Sequence, residues 1–156
     1  MSLARSIEIR RLGVDDLEAL FALETAAHPG GWSEEAILVE LVHADAVVFG
    51  VVADVVVAWC ALRLVVDELW ILNIATHPEQ RRRGHADLLL RTAAATTSLS
   101  ASATSLWLEV REGNRGARAL YERHGYMQLG RRPGYYPPLP PATAREAAIL
   151  MRAPRP

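Results

Sequence analysis

The chain has 156 residues, of which 51% are hydrophobic, and a formal net charge of −1 at pH 7. This length fits one folded domain, so we expect a single domain over residues 1–156. The hydrophobic fraction excludes a disordered chain, and the lack of a basic excess argues against direct nucleic-acid binding. Cys60 is the only cysteine, which excludes an internal disulfide. No His/Cys cluster has metal-ligand spacing, so we expect no metal.

The first residues, MSLARSIEIRR, lack the apolar stretch of a secretory signal peptide. An apolar window runs from Ala46 to Val66, but Asp54 lies near its middle. An acidic residue there would cost roughly 2.5–3.5 kcal/mol in a membrane span. Two strands joined by a turn at residues 53–54 explain the window better. We therefore expect a cytoplasmic protein without a membrane segment.

Hydrophobic spacing and breaker residues predict the elements of the first half. Residues 7–11 alternate as a first strand, and Asp15 and Asp16 precede a helix that ends near residues 28–31. Ser33 is typical of an N-cap and predicts a second helix. β-Branched segments then predict three antiparallel strands, at Val47–Val52, Val55–Val66 and Glu68–Ala75.

The second half alternates helices and strands. The predicted elements are a helix over Ala86–Ser98, a strand over Ser105–Val110, a helix over Gly116–His124, and strands over Tyr126–Leu129 and Ala147–Met151. The prolines of RRPGYYPPLPPATAR, residues 131–145, predict irregular structure there. The order predicts an α/β fold whose mixed sheet is antiparallel early and parallel around residues 69–87.

Residues 69–87, LWILNIATHPEQRRRGHAD, lead from a strand through a glycine-containing loop into a helix. The first N–H groups of a helix lack internal partners, and the helix dipole favours an anion there. Gly84 allows close backbone approach, and three arginines before it supply groups that pair with phosphate. The pattern favours a diphosphate-bearing ligand held mostly by backbone, although a basic loop before a helix would look the same. It is not a Walker A loop, because the chain has no lysine, and GxGxxG is absent.

Three polar residues in and after the SLWLEV strand are candidates for chemistry. Glu109 is either a rim residue facing solvent or a general base beside a cleft, where burial would suit it to accept a proton. Asn114 precedes a helix and could cap it or bind a ligand. Tyr121 lies on that helix, either as a packed aromatic or as a proton donor to a leaving group.

The segments ILNIATHPEQRRRGHA, LWLEVREGNRGARALYERHGY and GYYPP together resemble the GCN5-related N-acetyltransferase (GNAT) superfamily. Within it, the chain most resembles the bacterial ribosomal-protein-alanine N-acetyltransferase type, from GWSEEAILVEL to the final AILM. The resemblance implies a sheet flanked by about four helices, with parallel, splayed strands at an acetyl-CoA site. It also implies direct acetyl transfer to the N-terminal α-amine of a protein, in particular a ribosomal protein beginning with alanine.

The resemblance further implies roles for individual residues. The implied acetyl-CoA contacts are Ile74, Ala75 and Thr76 on the splayed strand, Arg81, Arg82, Arg83, Gly84, His85, Ala86 and Asp87 in the diphosphate loop, and Asn114. Glu109 matches the general base and Tyr121 the general acid. Trp32, Tyr135 and Tyr136 match positions beside a peptide-binding groove.

Two departures from the family pattern concern the substrate side: the proline-rich PPLPPATAR, and Arg145-Glu146-Ala147, where relatives often carry an aspartate. Other functions therefore stay open. The chain could acetylate a small-molecule amine or a lysine side chain, bind coenzyme A without catalysis, or act as a peptide-binding partner subunit. The three aromatic groove residues favour a peptide acceptor, and the presence of Glu109 and Tyr121 favours an enzyme.

Overall fold

The computed structural model describes residues 6–96 and 98–155, which form seven strands and four α-helices. The strands are β1 (Glu8–Arg11), β2 (Ala46–Ala53), β3 (Val55–Val65), β4 (Glu68–Thr76), β5 (Ser105–Arg111), β6 (Met127–Tyr136) and β7 (Glu146–Pro154). The helices are α1 (Leu17–Ala27), α2 (Glu34–Val42), α3 (His85–Ala95) and α4 (Arg115–Arg123). The predicted mixed α/β class is confirmed.

These strands form one sheet in the order β1-β2-β3-β4-β5-β7-β6. Neighbouring strands are antiparallel except β4 and β5, which are parallel and are connected through α3. The last strand, β7, lies between β5 and β6 and pairs with both. The antiparallel first part of the sheet and the parallel pair beside residues 69–87 are thus as predicted.

The parallel strands β4 and β5 separate part-way along their length. Their pairing covers Leu69–Ile71 and Leu106–Leu108, after which β4 continues beside β3, and β5 beside β7. A β-bulge at Leu72 shifts the register between β3 and β4 at this point. Because a bulge bends its strand, the end of β4 turns away from β5 and a gap opens between them.

Helices cover both faces of the sheet. The first core joins Leu89 of α3, Tyr121 of α4 and Leu108 of β5. The second core joins Leu20 of α1 and Trp59 of β3. The gap between β4 and β5 therefore has α3 and α4 on one face of the sheet, and α1 and α2 on the other.

The prediction that residues 131–145 lack regular structure is wrong for its first part, because β6 continues to Tyr136. β6 is an edge strand, and its register with β7 shifts between Arg132 and Tyr136. An edge strand tolerates Pro133 at such an irregularity, since a backbone donor is not needed there.

α3 and β7 also differ from the prediction at their ends. α3 begins at His85 and ends at Ala95 rather than Ser98, because Thr96 has extended backbone angles; residue 97 lies outside the described residues. β7 continues to Pro154, since its inner position gives it β5 as a second neighbour along this length. Within the described ranges, no helix is long and apolar enough to cross a membrane.

Candidate active site

Gly84 is the turning point of the predicted diphosphate loop. As the N-cap of α3 it has a left-handed φ of 81°, a conformation that glycine adopts without strain. A Cβ built at Gly84 meets nothing within 4 Å, so the space above its backbone is open. A ligand can therefore approach the backbone directly at this position.

The loop borders a depression of about 180 Å³ at the N-terminus of α3. Its lining residues are Thr76, Gln80, Arg81, Arg82, Gly84, His85, Ala86, Asp87, Leu120 and Arg123. The structure thus brings Thr76 and most of the predicted loop to one surface, but Arg83 is not among the lining residues. Because α3 has eleven residues, its first N–H groups and its dipole favour an anion here.

Asp87, in the first turn of α3, would repel an anion if its charge were unpaired. Its Oδ1 lies 2.8 Å from His124 Nε2 and 3.7 Å from Arg123 Nη2. The hydrogen bond with His124 is the main reason that the pKa of Asp87 lies below its usual value. The same contacts hold α4 beside α3, which brings Arg123 to the depression.

His85 and Arg81 use their side chains within the protein. The His85 side chain is buried, and burial together with the Arg83 cation lowers its pKa, so it is neutral at pH 7. Arg81 Nη2 donates to the carbonyl oxygen of Ala27, at the end of α1, over 3.2 Å. His85 therefore offers a ligand its backbone, and Arg81 ties the loop to α1.

The predicted acetyl-binding segment is the part of β4 that turns away from β5. Ile74 packs against the first core, Ala75 belongs to the second, and Thr76 reaches the depression. Along this segment, one edge of β4 pairs with β3, whereas the register with β5 has ended. The backbone groups on the open edge can hydrogen-bond an extended ligand in the gap.

Glu109 lies on β5, one residue past its pairing with β4. Its side chain is only 15% exposed, which disagrees with a solvent-facing rim position. Its Oε1 is 3.3 Å from Nη2 of Arg132 on β6, and the Arg132 guanidinium lies 5.5 Å from the ring centroid of Tyr135. The carboxylate at the gap therefore has a cationic partner, as well as apolar neighbours on its strand.

Tyr136 lies near both candidate catalytic residues. Burial, followed by the charge of Glu109, raises the pKa of Tyr136 to about 12, and Tyr136 contributes in turn to the raised pKa of Tyr121. The rings of Tyr135 and Tyr136 meet edge to face at 4.9 Å, and Arg111 lies 4.6 Å from the Tyr136 centroid. The structure thus gathers Glu109, Tyr135 and Tyr136 at one end of β6.

Tyr121 is buried in the first core, with its ring 5.8 Å from that of Tyr126. Burial raises its pKa well above the usual value, so the phenol keeps its proton at neutral pH. Tyr121 is therefore a packed core residue that also retains a proton to donate, and the two interpretations of the sequence are compatible.

Asn114 and Trp32 occupy separate places around the gap. Asn114 caps α4, because its Oδ1 accepts from the N–H of Ala117 at 3.2 Å, which leaves its amide N–H groups for a ligand. Trp32 lies between α1 and α2 and packs edge to face on Trp59 at 5.9 Å. Among the described residues, no ring contact joins Trp32 to the tyrosines of β6.

Sequence reasoning missed the residues that pair with the candidates. Arg132 lies in a segment for which the prolines predict no strand, so its place beside Glu109 could not be read from spacing. The hydrogen bond between Asp87 and His124 spans 37 positions. An acidic residue and its distant partner produce no local pattern, so the sequence could not pair Asp87 with His124.

A family model described as the acetyltransferase (GNAT) family matches residues 17–126. The matched region runs from α1 to the end of α4 and includes the loop, the gap, Glu109 and Tyr121. The chain belongs to the GNAT acetyltransferase family. The resemblance noted in the sequence is thereby confirmed.

This GNAT enzyme is 34% identical over 143 residues to the ribosomal protein bS18-alanine N-acetyltransferase of Salmonella typhimurium, covering 92% of this chain and 94% of that protein. The crystal structure of the ribosomal-protein-S18-alanine N-acetyltransferase from Escherichia coli matches it with a TM-score of 0.84 at 30% identity, covering 96% and 94% of the two chains. Arabidopsis thaliana NAA60 in complex with acetyl-CoA shares the fold, with a TM-score of 0.85 at 18% identity and 96% and 98% coverage. The GNAT fold is confirmed, and the chain is an N-acetyltransferase.

Proposed function

We propose that this GNAT enzyme transfers the acetyl group of acetyl-CoA to the N-terminal α-amine of a ribosomal protein that begins with alanine. The observation that carries the proposal is the likeness to the Escherichia coli ribosomal-protein-S18-alanine N-acetyltransferase, along 96% of this chain at 30% identity. The proposal includes a cytoplasmic location, because ribosomal proteins are made there.

The residues around the depression suit acetyl-CoA, which supplies an acetyl group activated as a thioester. Gly84, His85 and Ala86 would hold its diphosphate through backbone N–H groups, since the space above Gly84 is open. Arg82 and Arg123 line the same surface and would add positive charge. Residues 74–76 would hold the pantetheine arm through the open edge of β4. The amide N–H groups of Asn114 would give a further contact.

Glu109 would accept the proton that the acceptor amine loses. An α-amine has a reference pKa of about 7.7–8.0, against about 10.4 for a lysine side chain. The pKa of a terminal amine therefore lies only about one unit above pH 7, and a single carboxylate can remove the proton. Glu109 suits this role because it lies at the gap and is largely buried. It would act directly or through a water molecule.

Tyr121 would donate its proton to the departing thiolate. Its raised pKa keeps the phenol protonated over the whole neutral range, so the proton is available in every turnover. A backbone N–H near Ile74 would stabilise the negative charge that develops on the acetyl oxygen. Donors of this kind are worth roughly 3–4 kcal/mol in other acyl-transfer sites.

The side chains around Glu109 favour a peptide N-terminus over a polyamine. Tyr135 and Tyr136 supply aromatic surface beside the carboxylate, while Arg132 and Arg111 lie against these rings. Each guanidinium is paired with a carboxylate, Arg132 with Glu109 and Arg111 with Glu146, so the region has no acidic excess that would attract a polycationic acceptor. An acceptor with one amine and an otherwise neutral or apolar end fits this chemistry better.

The first test measures thiol release from acetyl-CoA with four acceptors. They are a peptide beginning Ala-Arg, the same peptide with a blocked N-terminus, a blocked peptide containing lysine, and spermidine. We expect release with the free-terminus peptide alone, and mass spectrometry should locate the added acetyl group on the α-amine. Release only with lysine or spermidine would replace the proposed acceptor. Equal release with and without an acceptor would show hydrolysis and contradict the proposal.

A further inference from the structure

A buried carboxylate supports the loop between α1 and α2, residues 28–33. Glu24 lies in the last turn of α1, and it is 1% exposed. Its Oε1 is 3.0 Å from His28 Nδ1 and accepts from the backbone N–H of Trp32 at 3.4 Å. One carboxylate oxygen therefore contacts the start and the end of this loop.

Gly31 brings the loop against the same oxygen. A Cβ built at Gly31 would lie 2.6 Å from Glu24 Oε1 and 2.8 Å from the carbonyl oxygen of His28. Real Cβ atoms essentially never approach other atoms so closely, and the His28 carbonyl is backbone that cannot simply move aside. The loop thus has a glycine where its backbone closes around the Glu24 carboxylate.

The Glu24 carboxylate stays charged inside the protein. Burial opposes ionisation, but the hydrogen bond with His28, the nearby Asn73 amide and the N–H of Trp32 outweigh it, so the pKa of Glu24 lies below its usual value. A buried charge is strongly unfavourable once a partner is removed. The contacts to His28 and Trp32 are therefore held firmly in the folded state.

The Asn73 side-chain amide lies close enough to the Glu24 carboxylate to help lower its pKa, although among the described residues Glu24 Oε2, Asn73 Nδ2 and Trp59 Nε1 have no partner within hydrogen-bond distance. Asn73 is on β4 beside the bulge, next to Ile74, and Trp59 pairs with Ala75 of the same strand. The Asn73 amide therefore links the Glu24 carboxylate, which supports the loop that carries Trp32, with the strand of the proposed acetyl-binding segment.

We propose that Glu24 is a positioning residue, which holds loop 28–33 so that Trp32 forms one wall of the site for the acceptor amine. This inference rests on the proposed function for its acceptor, a peptide N-terminus. Glu24 is too buried to touch the acceptor, so it acts through Trp32, whose indole lies against Trp59 of β3, the partner of Ala75 on β4. Its removal should weaken acceptor binding more than it slows the chemical step.

The test compares Glu24→Gln with the matched variant Glu40→Gln. Glu40 is also a buried glutamate, 7% exposed, but it lies on α2 and is hydrogen-bonded to Arg63 at 2.6 and 3.1 Å, away from loop 28–33. We expect Glu24→Gln to raise KM for the alanine peptide about tenfold, the usual effect of one charge-assisted hydrogen bond. KM for acetyl-CoA and kcat should change little. Amide hydrogen exchange should become faster in loop 28–33.

For Glu40→Gln we expect an unchanged peptide KM and unchanged exchange in loop 28–33, with a lower Tm. An unchanged KM and unchanged exchange in a folded Glu24→Gln variant would overturn the inference. A Glu24→Gln variant that lost only kcat would also overturn it, and so would equal changes of peptide KM and exchange in Glu24→Gln and Glu40→Gln. If Glu24→Gln does not fold, Gly31→Ala offers a second route, because its methyl group displaces the loop from the carboxylate. We expect Gly31→Ala to raise the peptide KM and the exchange rate in the same way.

Hydrogen exchange needs no acceptor, and this separates the two proposals. If the wild-type enzyme does not acetylate peptide N-termini, the proposed function fails, while exchange in loop 28–33 still decides whether Glu24 holds it. If the wild-type enzyme acetylates the peptide but Glu24→Gln behaves like wild type in both measurements, only the positioning role fails.

Discussion

Glu109 and Tyr121 lie on opposite faces of the sheet. Leu108 and Val110, the neighbours of Glu109 on β5, belong to the first core together with Tyr121. Side chains alternate along a strand, so Glu109 points to the other face, the face of α1 and α2. This arrangement suits a base that serves the acceptor and an acid that serves a cofactor held at α3.

Glu109→Gln should lower kcat about 100-fold at pH 7, because the acceptor amine is then mostly protonated and has lost its base. The loss should shrink at about pH 9, above the reference pKa of an α-amine, where the amine no longer needs deprotonation. KM for acetyl-CoA should not change. Steady-state kinetics at both pH values check this, and a full rate at pH 7 would show that Glu109 is not the base.

Tyr121→Phe should also lower kcat about 100-fold, but without recovery at higher pH, because phenylalanine has no proton to donate at any pH. Tyr126→Phe is the matched control, since Tyr126 packs against the same ring in the same core. We expect Tyr126→Phe to keep its kcat in the same pH series. Equal effects of the two substitutions would point to packing rather than proton donation.

At the scale of elements, the junction of α3 and α4 depends on the charge of Asp87. Its pKa in the folded protein lies below the unfolded value of about 3.9, chiefly because of His124. A depressed pKa contributes stability that is present above the unfolded pKa and is lost as the pH falls through the folded one. Asp87→Asn should therefore lower Tm near neutral pH, and the difference from wild type should be smaller at about pH 3, which lies below the unfolded pKa.

Thermal unfolding followed by circular dichroism at both pH values tests this expectation. Asp67→Asn is a suitable control, because Asp67 is exposed in the turn between β3 and β4. It should change Tm little at either pH. A deficit of Asp87→Asn that is equally large under acidic and neutral conditions would mean that the charge of Asp87 is not what joins the helices.

β6 shows that the place of a strand in the sheet decides whether a proline interrupts it. Pro133 predicts an interruption, and in an inner strand it would remove a needed hydrogen bond. At the edge of the sheet it coincides with a shift in register and the strand continues to Tyr136. This continuation places Arg132 beside Glu109 and the two tyrosines beside the gap.

At the scale of the whole molecule, a ligand that binds only the folded state raises its stability. At a concentration of 100 times its Kd, acetyl-CoA should add about 2.7 kcal/mol to the free energy of unfolding. For a chain of this length, that corresponds to a rise in Tm of roughly 5–10 °C. Differential scanning fluorimetry with and without acetyl-CoA measures the shift.

Gly84→Val supplies the matched variant for this measurement. Valine is strained at a φ of 81° and would place its side chain in the open space above the loop. The variant should therefore start from a lower Tm and gain little from acetyl-CoA at the same concentration. If acetyl-CoA raised the Tm of Gly84→Val as much as that of wild type, the diphosphate would not bind at the N-terminus of α3.

The sequence by itself determined most of the elements and the fold class, and it predicts an anion site at residues 81–87, because these features depend on residues a few positions apart. Ser33, for example, caps α2 as predicted, since its Oγ accepts from the N–H of Ala36 at 3.1 Å. Glu109 and Tyr121 stand out by their place in and after the SLWLEV strand, whereas their assignment as base and acid comes from the family resemblance and remains a prediction.

Only the tertiary structure decided which distant residues meet. It placed Arg132 beside Glu109, Arg81 against the end of α1, and the carboxylate of Glu24 under Trp32. Arg81 and Ala27, for instance, are 54 positions apart. Such contacts depend on the insertion of β7 between β5 and β6 and on the packing of α1 against the sheet. Periodicity and capping are set by short-range geometry, and they carry no information about which distant surfaces come together.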